Sequence, residues 1–301
     1  MNKILKTALK PLLGPVRRVW SRLPDSVLDT RAMRSVGSFI YDNFVRDTNR
    51  NQSHMTRFMR NVPQLDALRD LISRSPQGAT LRIASIGCST GVELHSTLWV
   101  LRSARPDLRI VAKGVDISPA VVEFARRGVF RAQPATGEEE LQEMGQREVT
   151  GAAAEALHAM LEPVPGGNLR VRDWLREGVD WLVGDATDPQ LIVQLGPQDL
   201  VLACNFLGPM EDPLAEACLR GIVQLVVQNG ILVLDGVDLD LKSRVVPGLG
   251  LRPITDRIEE AFVADPTKSD WPWKRWSREP FDRRRPDWAF RYSTIFVRSA
   301  P

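Results

Sequence analysis

The sequence predicts an α/β fold: a doubly wound, mostly parallel sheet with helices on both faces, preceded by a small helical region. Three observations carry this. Leu81-Arg-Ile-Ala-Ser-Ile86 is a short apolar run that breaks at Gly87 into a small-residue loop ending at Gly91, and Leu94, Leu98 and Leu101 follow at helical spacing. The unit then repeats. Leu108–Val115 reads as a second strand ending at Asp116, and Ala120–Arg127 as a helix with Ser118 as N-cap, Pro119 in its first turn and Gly128 as its stop. Finally, the apolar runs Val179–Val183, Asp199–Cys204 and Ile231–Leu234, with a helix over Pro213–Gln228 capped by Asn229-Gly230, resume the strand–helix alternation.

Composition sets the limits. A chain of 301 residues, 43% hydrophobic and 26% charged, is ordinary for a globular protein of one large domain or a domain plus a smaller one. The net charge of +3 gives no electrostatic case for nucleic acid. Cys88, Cys204 and Cys218 are few and scattered, which predicts a reducing, cytoplasmic setting with neither a disulfide framework nor a zinc site. No apolar run reaches the roughly 20 residues of a membrane span.

In chain order, residues 1–24 carry Lys3, Lys6, Lys10, Arg17, Arg18 and Arg22 and no acid. Leu5, Leu9, Leu12, Val16, Trp20 and Leu23 lie broadly opposite the bases, although Pro11, Gly14 and Pro15 interrupt the helix. This segment reads either as an accessory helix packed on the domain or as a peripheral contact with the inner face of a membrane. Residues 25–78 form a helical region, and the apolar spacing over 30–75 predicts helix through His54-Met-Thr56-Arg-Phe-Met-Arg60, with Thr56 and Arg60 on one face. Residues 131–178 interrupt the alternation as an insertion. Glu138–Met144 and Ala152–Leu161 look helical there, Pro163–Gly167 is a turn, and 169–176 resembles an exposed hairpin. After Lys242 the pattern loosens. Trp271, Trp273, Trp276 and Trp288, half of the chain's 8 tryptophans, are interleaved with Lys274, Arg275, Arg278, Arg283, Arg284 and Arg285 across about 265–290. That stretch reads as a tryptophan-pinned loop or as a stacking surface. Phe290–Val297 reads as a final strand, and the domain runs from 79 to 301.

The ligand follows from the strand ends. Asp116 closes the second strand, where a carboxylate can accept both ribose hydroxyls of an adenosine-containing cofactor. Gly87-x-x-x-Gly91 is neither the G-x-G-x-x-G of a pyrophosphate site nor a P-loop, and a looser glycine loop suits S-adenosylmethionine, which has no phosphate. Asp185 follows the third strand, where it can accept from an adenine amino group, and Asn205 follows the fourth with both a donor and an acceptor. Asp235 and Asp238 form an acidic loop on the same side. With His54, they are candidates for a general base.

Thr56-Arg-Phe-Met-Arg60, Ser89-Thr-Gly-Val-Glu93, Gly114-Val-Asp116-Ile-Ser and Ala125-Arg-Arg-Gly128 occur in an order and spacing that resemble the CheR-type methyltransferases over about residues 40–240. The resemblance implies a small N-terminal helical domain, a class I methyltransferase domain with a small inserted β-subdomain, and methyl transfer from S-adenosylmethionine to chemoreceptor glutamates. It implies that Thr56 and Arg60 approach the methionine and methyl end, that Gly87, Cys88, Ser89 and Gly91 shape the cofactor loop, and that Glu93 meets the amino-acid portion. Asp116 with Ile117 would hold the ribose, Asp185 and Ala186 would lie by the adenine, and Asn205 with Phe206 would sit beside the sulfonium.

Three positions depart from that family. His54 stands where it usually has Asn, Phe206-Leu-Gly-Pro-Met210 lacks its tyrosine, and Asp235-Gly-Val-Asp238 replaces Gly-His-Ser-Glu. The expected activity is therefore methyl transfer, with Arg60, Asn205, Asp235 and Asp238 as catalytic candidates. The expected acceptor is a hydroxyl or carboxylate outside the chemoreceptors, on a saccharide, a lipid-linked intermediate or a natural product. Protein-glutamate methylation and a non-catalytic S-adenosylmethionine-binding scaffold are the alternatives. Asn205-Phe-Leu-Gly lacks the Asn/Asp-Pro-Pro-aromatic motif of amine-methylating families, so no nucleic acid is expected.

Overall fold

The structure, a computed structural model, describes residues 13–20, 22–28, 30–40, 54, 56–131, 152–264 and 281–299. The basic residues before 13, the expected helix at 138–144 and Trp271, Trp273 and Trp276 lie outside the described residues.

Alternating burial in β1 (Thr80–Ile86) explains why the sheet has two covered faces. Leu81 and Ile83 enter one apolar cluster, with α5 (Val92–Ala104) and α6 (Pro119–Arg127), while Ala84 and Ile86 enter another, with α9 (Pro189–Leu195) and α10 (Asp212–Leu225). β1 pairs in parallel with β2 (Arg109–Asp116) on one side and β7 (Gln198–Cys204) on the other. With β6 (Val179–Val183), β8 (Val226–Asp235), β9 (Leu251–Pro253) and β10 (Ile295–Arg298), the order across the sheet is β6-β2-β1-β7-β8-β10-β9. Only β10 runs antiparallel to its neighbours. The chain moves outward from β1 to β2 and β6, then returns to β7 on the other side. That switch in strand order opens a crevice at the carboxyl ends of β1, β2 and β7.

The insertion is a second, three-stranded antiparallel sheet of β3 (Val129–Arg131), β5 (Asn168–Val171) and β4 (Leu161–Val164), with α7 (Ala152–Met160) beside it. The expected hairpin over 169–176 stops at Val171, and Asp173-Trp-Leu-Arg176 forms a single helical turn, α8. In the N-terminal region α1 (Leu13–Trp20), α2 (Asp25–Leu28) and α3 (Arg31–Ile40) close over Trp20 and Leu28, with Leu23, Met33 and Ile40 packed against them. α4 (Val62–Ile72) packs on α5 in the main core.

Two boundaries differ from expectation. Asn229-Gly230 does not cap α10. That helix ends at Leu225, and both residues lie within β8, where Asn229 takes a φ of 59°. Phe290 is not in a strand but in α13 (Trp288–Tyr292), whose Arg291 is buried and paired with Asp240 at 2.8 Å. Trp288 stacks edge-on against Phe281 with the Arg283 guanidinium over both rings, so this tryptophan is a packing element. Among the described residues, no helix is long and apolar enough to cross a membrane.

Candidate functional site

The loop after β1 is folded by backbone geometry. Gly87, Ser89 and Gly91 all take positive φ (67°, 51° and 82°), and the loop is tied down by Cys88 N–H donating to Val115 O at 2.9 Å. Asp116, buried at the end of β2, completes the tie: Oδ2 accepts from Ser89 N–H at 2.9 Å and Oδ1 from Ser118 N–H at 3.1 Å. Each carboxylate oxygen keeps a second lone pair, so Asp116 can hold the loop and accept ribose hydroxyls together. Ser118 sits at the expected cap position of α6, but its side chain makes no capping bond. Ile117, half-buried, joins the two.

The glycines do more than clear space for a ligand. A Cβ on Gly91 would lie 2.5 Å from the Trp181 ring, and one on Gly114 would lie 2.4 Å from it. Trp181, on β6, thus props the loop from beneath. A Cβ on Gly87 would meet the Phe206 ring at 2.8 Å, so Phe206 packs directly on the loop.

Residues 54 and 56–61 are not helical, contrary to the spacing. Residues 58–61 form turns in which Met59 has a φ of 50°, and α4 begins only at Val62, with Asn61 as N-cap accepting from Gln64 N–H. The physical reason is anchoring. Ser89 Oγ donates to His54 O at 2.8 Å, Met59 N–H donates to Ser96 Oγ at 3.0 Å, and Asn61 Nδ2 donates to Ala261 O at 2.9 Å. This unwound path carries Arg60 to the end of β7, where Nη2 donates to Asn205 Oδ1 at 3.2 Å. Thr56, half-buried, stays on the same segment but shares no helix face with Arg60.

Asn205 itself is held at a φ of 63°, with its N–H on Asp235 O at 2.9 Å. Gly236 makes room for it: a Cβ there would fall 2.2 Å from Asn205 Oδ1. Asn205 Nδ2 and Arg60 Nε are buried without a hydrogen-bond partner. Orphaned donors of this kind are costly in a finished core and ordinary in a site that takes a ligand.

Glu93, in the first turn of α5, joins the cluster. Burial raises its carboxyl above the usual range, opposed by a hydrogen bond from the Cys204 thiol and by the Arg60 charge. Burial, and then Glu93 and Asp235, push the Cys204 thiol well up. Burial and Asp116 do the same to Cys88, so both are neutral polar groups and not nucleophiles. Cys204→Val, which removes the donor to Glu93, is expected to weaken S-adenosylmethionine binding about fivefold, and Cys204→Ser to retain it. Calorimetry with the two variants decides between these outcomes.

Asp185 Oδ1 accepts from Thr187 N–H and Oγ1, closing a turn after β6. Ala186 O accepts from the Cys218 thiol. Asp235 Oδ1 accepts from Gly236 N–H, and Asp235 lines a cleft with Gly236, Lys242, Phe262, Tyr292 and Thr294. Asp238 is buried, and its Oδ1 caps α11 (Leu239–Val245) through the N–H groups of Asp240 and Leu241, so this carboxylate holds the start of that helix.

Sequence reasoning also missed His95, on α5 and packed at 5.5 Å against Trp181. Both ring nitrogens are buried without partners, and burial, with Arg176 and Arg102 nearby, lowers its pKa from 6.5 to about 3. The unfolded chain therefore takes up this proton first as the pH falls. The stability His95 contributes above its unfolded pKa is lost toward acid, by about 2 kcal/mol between about pH 7 and pH 5. Urea titrations at the two pH values should show this loss for the wild type and a smaller one for His95→Phe.

A family model described as "CheR methyltransferase, SAM binding domain" matches residues 54–239. The chain is 28% identical over 185 residues to the "Probable biofilm formation methyltransferase WspC" of Pseudomonas putida, covering 61% of this chain and 39% of that protein. It is 24% identical over 188 residues to "Chemotaxis protein methyltransferase 2" of Vibrio cholerae, covering 60% of each. It thus spans less than two thirds of the length of these relatives. Among solved structures, an O-methyltransferase family protein from Burkholderia thailandensis aligns over 99% of this chain and 70% of its own, at 15% identity and a TM-score of 0.39.

Proposed function

The chain belongs to the CheR methyltransferase family and carries its S-adenosylmethionine-binding domain, and from that premise we propose that it is an O-methyltransferase whose acceptor is a hydroxyl or carboxylate outside the chemoreceptors. The observation that carries the reading is the Arg60–Asn205 pair at the crevice, with Asn205 Nδ2 and Arg60 Nε unpaired beside Glu93. This donor set fits the polar end of S-adenosylmethionine, and the cofactor, when bound, supplies an electrophilic methyl on a sulfonium. The protein's task is alignment. Asp116 holds the ribose, Glu93 meets the amino group, and Arg60 fixes the rotamer of Asn205 at the reacting end. A carboxylate acceptor needs no base. For a hydroxyl acceptor, Asp235 is the carboxylate placed to receive the proton, since Asp238 is committed to capping α11.

The acceptor side supports a substrate other than a chemoreceptor. No tyrosine follows Asn205; Phe206 packs on Gly87 instead. The second reading, protein-glutamate methylation, draws support from the names of the relatives. Methyl-labelled S-adenosylmethionine and cell extract separate the readings. Label in the protein-free fraction is expected. Label in precipitated protein, released by mild alkali as methanol, assigns glutamate methylation. Cofactor binding without any transfer assigns a scaffold.

A further inference from the structure

We propose that α1–α3 form a docking surface for an anionic lipid bilayer. The proposal is independent of the acceptor. Ten large apolar side chains are exposed among the described residues, and five of them (Val16, Val19, Val27, Val36 and Phe39) fall in this short region. The helices already have a core of their own: Trp20 and Leu28 are buried with Leu23, Met33 and Ile40 packed around them. The exposed side chains are thus a second apolar set, not the interior of an unfinished bundle. Val16 and Val19 are three apart on α1, and Val36 and Phe39 are three apart on α3, so each pair shares a helix face. Val19 is 62% exposed and Phe39 61%.

Charge selects the occupant. Residues 1–24 hold six Lys and Arg and no Asp or Glu in the sequence, and among the described residues Arg18 and Arg22 are exposed. Apolar side chains at the acyl boundary with bases at the headgroups are the two parts of interfacial binding to an anionic leaflet, and a protein groove has no requirement for an acid-free basic run.

Flotation of the full chain with phosphatidylcholine vesicles, with and without phosphatidylglycerol, tests this. The wild type is expected to float only with the anionic vesicles, and less at high salt. Val19→Asp/Phe39→Asp is expected to stay unbound with unchanged S-adenosylmethionine affinity, which shows the domain intact. Each base at such a surface is worth about fivefold in binding, so Arg18→Glu/Arg22→Glu should weaken it at least about thirtyfold. Equal flotation of wild type and both variants, or none by the wild type, overturns the proposal. A concentration-dependent dimer abolished by Val19→Asp/Phe39→Asp, without vesicle binding, overturns it in favour of a second copy of the chain.

Discussion

Asp116→Ala is expected to weaken S-adenosylmethionine binding by at least about a hundredfold, because two charge-assisted hydrogen bonds of about 1.5–3 kcal/mol each go with the carboxylate. The loss has two parts. One is the bond to the ribose. The other is the loop: Ser89 holds a φ of 51°, rare for a residue with a side chain, and its N–H is tied to Asp116 Oδ2. Without that acceptor the strained turn loses its restraint. Asp116→Asn separates the parts, since an amide oxygen can still accept from one backbone N–H while its nitrogen cannot accept a hydroxyl. Its amide nitrogen faces the other of the Ser89 and Ser118 N–H groups, so the asparagine variant should lose most of the affinity with a smaller fall in melting temperature than Asp116→Ala. Calorimetry giving unchanged affinity for Asp116→Ala would remove the ribose from this site.

Asp116 was legible in the sequence because its role depends on local order: an apolar run, then an acid, then a proline-opened helix. The glycine loop was legible for the same reason, although half of its explanation was not. Gly91 reads as a place where a ligand approaches, yet its missing Cβ makes way for Trp181, 90 residues along the chain. A signal existed in Gly114, since a glycine inside an apolar strand marks a close approach by something. What approaches could not be read. The helix expected through Thr56–Arg60 failed because tertiary anchors, Ser89 on His54 and Ser96 on Met59, outweigh helical spacing. Phe290 falls not in the final strand but in a helix, where Arg291 is paired with Asp240, far away in sequence. The Arg60–Asn205 bond joins residues 145 apart, and no local pattern reports it. The cofactor half of the site is thus written in short-range order, and the reacting end in long-range contacts.

Gly236→Ala tests that reacting end without removing a polar group. Gly236 has a φ of 60°, and its added methyl carbon would stand 2.2 Å from Asn205 Oδ1 and 2.7 Å from Asn205 Cα. Both the side chain and the backbone of Asn205 would have to shift, because real carbon contacts do not close below about 3 Å. Asn205 is also restrained by Asp235 O and by Arg60, so the shift breaks at least one of these bonds. A misplacement of about 1 Å at an aligned reacting centre costs on the order of a hundredfold in rate. Cofactor affinity, which the proposed site assigns largely to Asp116 and Glu93, should fall far less. Gly236→Ala is therefore expected to lower kcat about a hundredfold while leaving the S-adenosylmethionine Kd within about fivefold of wild type. Equal losses in both would make Asn205 a cofactor-binding residue without a separate part in aligning the methyl acceptor.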